Sequence, residues 1–335
     1  MKILRMPCLL GCLLGALSTA GAEAAGIVAQ PLVLPGTGNA SMDYLAFDAK
    51  THALWIPAGN RGATFVLDTR VNHFETVPGF PTQAVGEHVL GPSAAAIGDA
   101  NVFIGNRAGA EVCAFDRLSR AKRGCVTLPS APDGLQYVAS RKELWVTTPE
   151  DKSLQVLDVA GPQPKRLASI PLPGEPEGYS VDEANGVFFT NLEDADRTLA
   201  IDLVSRKVLS TWNPACKGRG PRGLSFEPQG RLLFVACSDG AVTLDAGHGG
   251  RVLGRVRTAP GVDNPAWDGL GRTLFLASAK DGKLTVVKVS AAGEMTIASR
   301  VPTHEGCRSV YLDDRGHAYL PDSKAGRLLV VPVRP

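Results

Sequence analysis

An apolar triplet centred on an aromatic side chain recurs seven times along the chain, at spacings of 41 to 48 residues. The copies are Leu54–Ile56, Val102–Ile104, Leu144–Val146, Val187–Phe189, Leu233–Val235, Leu274–Leu276 and Ala318–Leu320. A repeat of this length is typical of a supersecondary unit that buries its apolar surface only against neighbouring copies. The length of 335 residues alone suggests about two domains, but the repeat predicts one continuous array.

Short strands and turns surround each triplet in the same order. A strand such as Leu45–Asp48 precedes the triplet, and a polar turn such as Ser238–Gly240 follows it. A third strand that often closes on Asp comes next, as in Phe65–Asp68, and a hairpin leads to a fourth, as in Lys207–Trp212. Four short strands with a two-residue alternation predict an antiparallel meander. Helical repeats fit less well, because 37 glycines and 24 prolines interrupt the chain too densely.

Seven such meanders predict one all-β domain over residues 25–335. A single four-stranded sheet cannot bury both of its faces, whereas seven sheets arranged radially can. The predicted fold is therefore a single seven-bladed β-propeller of four-stranded antiparallel blades. The last blade lacks a fourth strand at its carboxyl end, and Ala29–Gly36 resembles fourth strands elsewhere, such as Ser169–Gly174. We expect this amino-terminal strand to complete blade seven and close the ring, which removes a free sheet edge.

Residues 1–24 have the pattern of a secretory signal peptide. Lys2 and Arg5 precede an apolar run over residues 6–17, and small residues follow up to Ala25. The run is too short to span a bilayer, and no later apolar run reaches the roughly 18 residues of a transmembrane segment. We therefore expect a periplasmic or secreted protein, and a monomer, once this segment is removed.

Several further stretches resemble a known family. They are the triplets followed by Thr-Thr, Thr-Asn, Ala-Cys or Ala-Ser, and the segments Gly174–Asp182, Gly220–Phe226 and Gly261–Asn264. In these features the chain resembles the YVTN (YncE-like) family over nearly all of residues 27–335. The resemblance implies a seven-bladed propeller in a secreted or periplasmic protein. It implies no particular enzymatic activity, because propellers host many functions.

The innermost strand of every propeller blade starts at the same mouth of the central channel, so the residues just before these strands are expected to converge there. These residues are Asp43, Asp133, Glu177, Arg222, Asp263, Asn264 and Arg308, together with the neutral stretch Gly91–Ser93. Three of them occupy Pro-x-Gly frames, which fix a turn and aim the middle side chain. The pattern predicts a ligand site at the channel mouth.

A charged ring of this kind has two interpretations. Cross-blade salt bridges could fix the position of one blade against the next. Alternatively, the acids could hold a small polar ligand or a cation that Arg222 and Arg308 orient, because planar guanidinium groups suit carboxylates and phosphates.

A metal site is a further alternative for the same mouth. Its ligands would be hard oxygen donors, for which the candidates are Asp43, Glu177, Asp263 and Asn264. The arrangement resembles that of gluconolactonase-type propeller lactonases, although the asparagines that such enzymes draw from several blades are not evident here.

Five cysteines lie outside the predicted signal peptide, and a secreted chain favours disulfides. Cys216 and Cys237 form one predicted pair, because both are expected on the mouth face. Cys113 and Cys125 flank one hairpin and form the other predicted pair, which leaves Cys307 unpaired.

The predicted function is that of a non-enzymatic propeller that binds a small polar ligand or a protein partner at its mouth, with no cofactor. A metal-dependent, lactonase-type hydrolase holding a divalent cation is the first alternative, and a protein–protein interaction scaffold is the second. His88 and His304 are the histidines expected near the mouth. A nucleic-acid partner is not expected, because the net charge is only +2 and the basic runs lack interleaved aromatic residues.

Overall fold

The computed structural model describes residues 27–217 and 220–334, so the predicted signal peptide at residues 1–24 lies outside the described part. Seven four-stranded antiparallel sheets form a closed ring of blades, numbered here 1 to 7 in chain order. The prediction of an all-β, seven-bladed propeller is confirmed. No helical segment within these described ranges has the length and apolar character needed to cross a membrane.

The innermost strand of each blade comes first in the sequence. Blade 1 comprises β2 (Ala46–Asp48), β3 (Ala53–Ala58), β4 (Ala63–Asp68) and β5 (His73–Pro78). Blade 2 comprises β8 (Pro92–Ile97), β9 (Asn101–Asn106), β10 (Glu111–Asp116) and β11 (Lys122–Thr127). Blade 3 comprises β12 (Leu135–Val138), β13 (Glu143–Thr148), β14 (Ser153–Asp158) and β15 (Lys165–Pro171). Blade 4 comprises β16 (Pro176–Asp182), β17 (Val187–Leu192), β18 (Arg197–Asp202) and β19 (Val208–Trp212). Blade 5 comprises β20 (Pro221–Glu227), β21 (Leu232–Cys237), β22 (Gly240–Asp245) and β23 (Arg251–Arg257).

Blade 6 comprises β24 (Ala266–Asp268), β25 (Thr273–Ser278), β26 (Lys283–Val289) and β27 (Met295–Pro302). Blade 7 comprises β28 (Tyr311–Leu312), β29 (His317–Asp322), β30 (Arg327–Pro332) and β1 (Gln30–Val33). A separate hairpin of β6 (Gln83–Val85) and β7 (His88–Leu90) lies between blades 1 and 2. Short 3-10 turns occur at Gly59–Arg61, Pro149–Asp151, Glu183–Asn185, Glu193–Ala195 and Ser323–Ala325.

The amino-terminal strand closes the ring, as predicted. β1 pairs with β30 in antiparallel register, with Gln30 opposite Val330 and Val33 opposite Arg327. The backbone N–H of Leu34 donates to the carbonyl oxygen of Gly326 at 3.1 Å. The Leu34 side chain is buried in the cluster that joins blades 7 and 1. The outer strand of blade 7 therefore ties the two ends of the domain together.

The hydrophobic core lies between the blades rather than within them. Each of seven buried clusters in the described residues combines side chains of two adjacent blades. The central aromatic residue of each triplet contributes to this packing; for example, Trp145 of blade 3 stacks on Phe188 of blade 4 with ring centroids 4.8 Å apart. Because each sheet covers the faces of its neighbours, removing one blade would expose two apolar surfaces.

Ion pairs with a buried acidic partner join neighbouring blades at the face opposite the channel mouth. The pairs are Asp48–Arg117 at 2.6 Å, Glu143–Arg206 at 3.1 Å, Asp182–Arg231 at 2.9 Å, Glu227–Arg272 at 3.8 Å and Asp268–Arg334 at 3.0 Å. Each acidic residue lies at or near the point where the first strand of its blade turns into the second. The recurring acid after the first strand therefore has a structural role, since it receives an arginine of the next blade.

Both predicted disulfides are present. Cys113 and Cys125 face each other on β10 and β11, and Cys216 joins the segment before blade 5 to Cys237 at the end of β21. Cys307 is unpaired and buried, and burial raises the pKa of its thiol to about 12. A thiol of this kind stays protonated and unreactive at neutral pH.

Breaking one buried interblade pair is expected to destabilise the protein strongly. In Arg117→Met, the fully buried Asp48 loses its bidentate partner, and the free energy of unfolding should fall by about 3–5 kcal/mol. The control is Arg70→Met, which removes a solvent-exposed partner of Asp68 and should change stability little. Urea denaturation at pH 7 measures both variants, and equal losses would contradict a structural role for the buried pair.

Removing the closing strand is expected to open the ring. Deletion of residues 27–36 exposes β30 as a free edge and uncovers the core between blades 7 and 1, so the melting temperature should fall by many degrees. Leu34→Ala should by itself cost about 2–5 kcal/mol, because the side chain is fully buried. The exposed neighbour provides the control Val33→Ser. A melting temperature unchanged after the deletion would show that the ring does not depend on this strand.

Candidate functional site

The inner strands of adjacent blades approach each other closely at the channel mouth, and backbone hydrogen bonds hold them there. Tyr44 of blade 1 donates to the Ser93 carbonyl of blade 2 at 3.0 Å, and a parallel bridge joins Tyr44 to Ala94. On the other side of the ring, Asp263 of blade 6 donates to the Arg308 carbonyl of blade 7 at 3.0 Å. The backbone positions of the mouth residues are therefore set by the contact between blades.

Glycine is required in the Pro-x-Gly frames by this close approach. A Cβ atom at Gly178 would lie 2.2 Å from the carbonyl oxygen of Arg222 in the next blade. A Cβ atom at Gly223 would lie 2.4 Å from the amide oxygen of Asn264. The frames therefore let neighbouring inner strands touch, and the charged residue before each glycine is positioned at the mouth.

The structure brings together most of the predicted mouth residues through shared arginines. Arg308 of blade 7 contacts Asp263 of blade 6 at 3.1 Å and Asp43 of blade 1 at 3.4 Å. Arg222 of blade 5 lies 4.0 Å from Glu177 of blade 4. Positive and negative side chains thus alternate around this part of the ring.

Two mouth residues were missed by the sequence reasoning. Arg107 follows β9 and contacts both Asp43, at 3.0 Å, and Asp133. Glu193 follows β17 and contacts Arg222 at 2.6 Å. Both lie in the turns after the aromatic triplets. Since the first two strands of each blade are antiparallel, these turns lie at the same end of the blade as the residues before the inner strand, and a charged residue there was the signal that could have identified them.

Asn264 and Asp133 are more buried than the prediction implied. The Asn264 side chain lies against Ser309 of blade 7, with its amide nitrogen 3.3 Å from the hydroxyl. One oxygen of Asp133 accepts from Arg107, and the other is buried without a hydrogen-bond partner among the described residues. Asn264 therefore supports the contact between blades 6 and 7.

Three tyrosines, Tyr44, Tyr179 and Tyr311, follow charged residues of the mouth along the inner strands. The rings of Tyr44 and Tyr179 lie 5.3 Å apart although they belong to blades 1 and 4, so they meet across the channel axis. The Tyr311 hydroxyl donates to the backbone carbonyl of Asp43. The Tyr44 hydroxyl is buried without a partner in the described residues, and its pKa is raised well above 10 by burial and by the nearby Glu177. Tyrosine side chains therefore lie next to the charged residues of the mouth.

The charges of the described mouth residues do not balance. Within residues 27–217 and 220–334, the mouth combines five carboxylates, Asp43, Asp133, Glu177, Glu193 and Asp263, with three guanidinium groups, Arg107, Arg222 and Arg308.

Among the carboxylates of the mouth, Glu177 has the pKa that is raised most. Burial and the charges of Asp263 and Asp43 raise its pKa to about 8, and Arg222 offsets them only in part. Burial also raises the pKa of Asp263 to about 6, against the effect of Arg308. Glu177 is therefore mostly protonated at pH 7 and takes up negative charge above that pH.

The candidate metal ligands do not form a compact cluster. Within the described residues, Asp43, Glu177 and Asp263 do not bring three carboxylate oxygens within 4.8 Å of one another. The group that does meet this distance is Glu111 with Cys113 and Cys125, but these two sulfurs form a disulfide. A divalent cation at the mouth remains a prediction. The carboxylates that would have to bind it already contact arginine side chains.

An open cleft of about 660 Å³ adjoins the mouth beneath the hairpin of β6 and β7. Its lining includes Asp43, Arg107 and Arg308 from the mouth and His88 from the hairpin. His304, the other histidine expected near the mouth, lies 3.3 Å from Asp322. His88 is therefore the histidine that faces the candidate site.

Comparison with known proteins supports the fold alone. No protein-family model matches the chain, and no curated protein sequence matches it. A chain of the mitotic checkpoint complex superposes with a TM-score of 0.77 at 12% identity, covering 99% of both chains. Hydrazine synthase of Kuenenia stuttgartiensis gives a TM-score of 0.72 at 15% identity, over 90% of this chain and 99% of that chain. Virginiamycin B lyase of Staphylococcus aureus gives a TM-score of 0.71 at 12% identity, over 91% of this chain and 99% of that chain.

Replacing Glu177 is expected to change how stability depends on pH. The folded protein keeps the Glu177 proton up to about pH 8, whereas an unfolded chain releases it near the usual pKa of 4.5. Stability should therefore fall as pH rises through this window. Glu177→Gln mimics the protonated acid, so the variant should gain in melting temperature over the wild type from pH 5 to pH 8. The exposed control Glu294→Gln should follow the wild type. Parallel profiles for Glu177→Gln and wild type would contradict this assignment.

Proposed function

We propose that this propeller is a binding protein that holds a small polar ligand with a cationic group at its channel mouth. The observation that carries the proposal is the surplus of carboxylates over guanidinium groups among the described residues of the mouth. Glu177 is the anchor, because its side chain is only 19% exposed and its nearest arginine is 4.0 Å away. The proposal deepens the predicted ligand site, and it favours a positively charged ligand over an anionic one.

The three arginines have a positioning role in this proposal. Each is paired with two acids of the mouth, so its charge is already compensated. Arg222 holds Glu193 at 2.6 Å and leaves Glu177 the less tightly paired acid. A ligand ammonium group could therefore approach Glu177 without displacing a close ion pair.

We further propose that the protein acts outside the cytoplasm, as a secreted propeller of the YVTN-like kind. Two disulfides support this location, because oxidising compartments favour them. The signal-peptide pattern of residues 1–24 points the same way. The lactonase-type alternative requires a metal ion at carboxylates that the arginines already engage.

Calorimetric titration with small ions tests the proposed ligand charge. Ethylammonium is the cationic probe, acetate and inorganic phosphate are the anionic probes, and Ca²⁺ represents the hydrolase alternative. Ethylammonium should bind about tenfold more tightly at pH 9 than at pH 7, because Glu177 must lose its proton and a primary ammonium stays charged. Glu177→Gln should abolish this pH dependence, and Glu294→Gln should leave it intact. Preferential binding of the anions, or of Ca²⁺ with EDTA-sensitive stability, would overturn the proposal.

A further inference from the structure

The hairpin of β6 and β7 interrupts the regular order of the blades. It lies between the outer strand of blade 1 and the inner strand of blade 2 and belongs to neither sheet. Val85 and Val89 are 48% and 38% exposed. Both valines line the cleft that adjoins the mouth, together with Leu90 and the buried Met42. The hairpin thus adds an apolar wall beside a charged pocket.

The cleft and the mouth share residues. Asp43 and Arg308 line the cleft and also belong to the mouth. Arg308 reaches from Asp43 to Asp263, which is the acid that most strongly influences Glu177. Glu177 itself does not line the cleft, so a ligand with its charged group there would reach the cleft past Asp43 and Arg308.

Both arginines that line the cleft in the described part of the chain are compensated by carboxylates, so neither favours an anion. Arg107 is shared by Asp43 and Asp133, and Arg308 is shared by Asp43 and Asp263. Ser93 also lines the cleft, although its hydroxyl oxygen is buried and has no hydrogen-bond partner among the described residues.

We propose that the ligand is an aliphatic ammonium compound whose charged head binds at the mouth and whose carbon chain lies in the cleft against the hairpin. The position of the head rests on the proposed function, whereas the position of the chain rests on the apolar wall. The cleft volume of about 660 Å³ suits an organic ligand of moderate size. The hairpin is therefore a specificity element that selects for chain length.

Chain length is the variable that tests this inference. We would titrate n-alkylamines from ethylamine to octylamine at pH 9, with the n-alkyl carboxylates of the same lengths as the opposite-charge series. Each methylene group that enters the cleft should tighten binding by about fourfold, the factor expected for burying a methylene. The gain in affinity should continue beyond four methylenes, which is the length of a lysine side chain. A free long-chain amine can supply these further methylenes, whereas a lysine in a peptide cannot.

Substitution of the apolar wall provides the decisive variant. Val85→Ser combined with Val89→Ser should reduce the gain to less than about twofold per methylene and leave ethylammonium binding unchanged. The matched control is Val71→Ser with Val204→Ser, since these valines are also exposed, at 69% and 70%, but lie in turns at the opposite face. The control should retain the full chain-length dependence.

The outcomes separate this inference from the proposed function. If ethylammonium binds through Glu177 but longer amines bind no better, the mouth function stands and the inference about the cleft is wrong. If the chain-length dependence survives Val85→Ser with Val89→Ser, the hairpin is not the wall. If carboxylates bind more tightly than amines of equal length, the assignment of a cationic head group is wrong, and so is the proposed function.

Discussion

Each sheet of this protein can bury its two apolar faces only against the two sheets beside it. All seven core clusters of the described residues therefore lie between blades, and the ring must close for the last of them to form. The short strand Gln30–Val33 accomplishes this by pairing with the end of the chain. The positions of the mouth residues follow from the same constraint, because they are fixed by contacts between inner strands of neighbouring blades.

Charged residues serve different purposes at the two ends of the ring. At the face opposite the mouth, five buried acids each receive an arginine from the next blade, as in Asp48–Arg117, so these charges are matched and the pairs hold the blades in position. At the mouth, Asp43 and Arg222 each take part in contacts with two partners, and carboxylates outnumber guanidinium groups. The cross-blade salt bridges anticipated for the mouth are present there. It is the imbalance between the two signs of charge that sets the mouth apart as a candidate binding site.

Much of the fold could be predicted because it is repeated. The triplets, the strands and turns around them and the missing last strand together indicated the blades and their closure, and both disulfides followed from strand positions. The hairpin Gln83–Leu90 was not predicted, because it occurs once and its strands are only three residues long. Its trace in the sequence is the longest spacing between triplets, the 48 residues from Trp55 to Phe103. Arg107 and Glu193 escaped notice because their turns vary in sequence from blade to blade.

The sequence by itself determined the number of blades, the closure of the ring and the residues that converge at one mouth, because each depends on a periodic pattern along the chain. The tertiary structure decided which charges meet and which remain unmatched. Arg107 reaches acids that precede it by 64 residues and follow it by 26 residues, and Tyr44 meets Tyr179 across the channel. The raised pKa of Glu177 arises from burial and from acids on blades 1 and 6, which only the closed ring brings near it. Distances of this kind depend on the packing of blades far apart in the chain, and no local pattern records them.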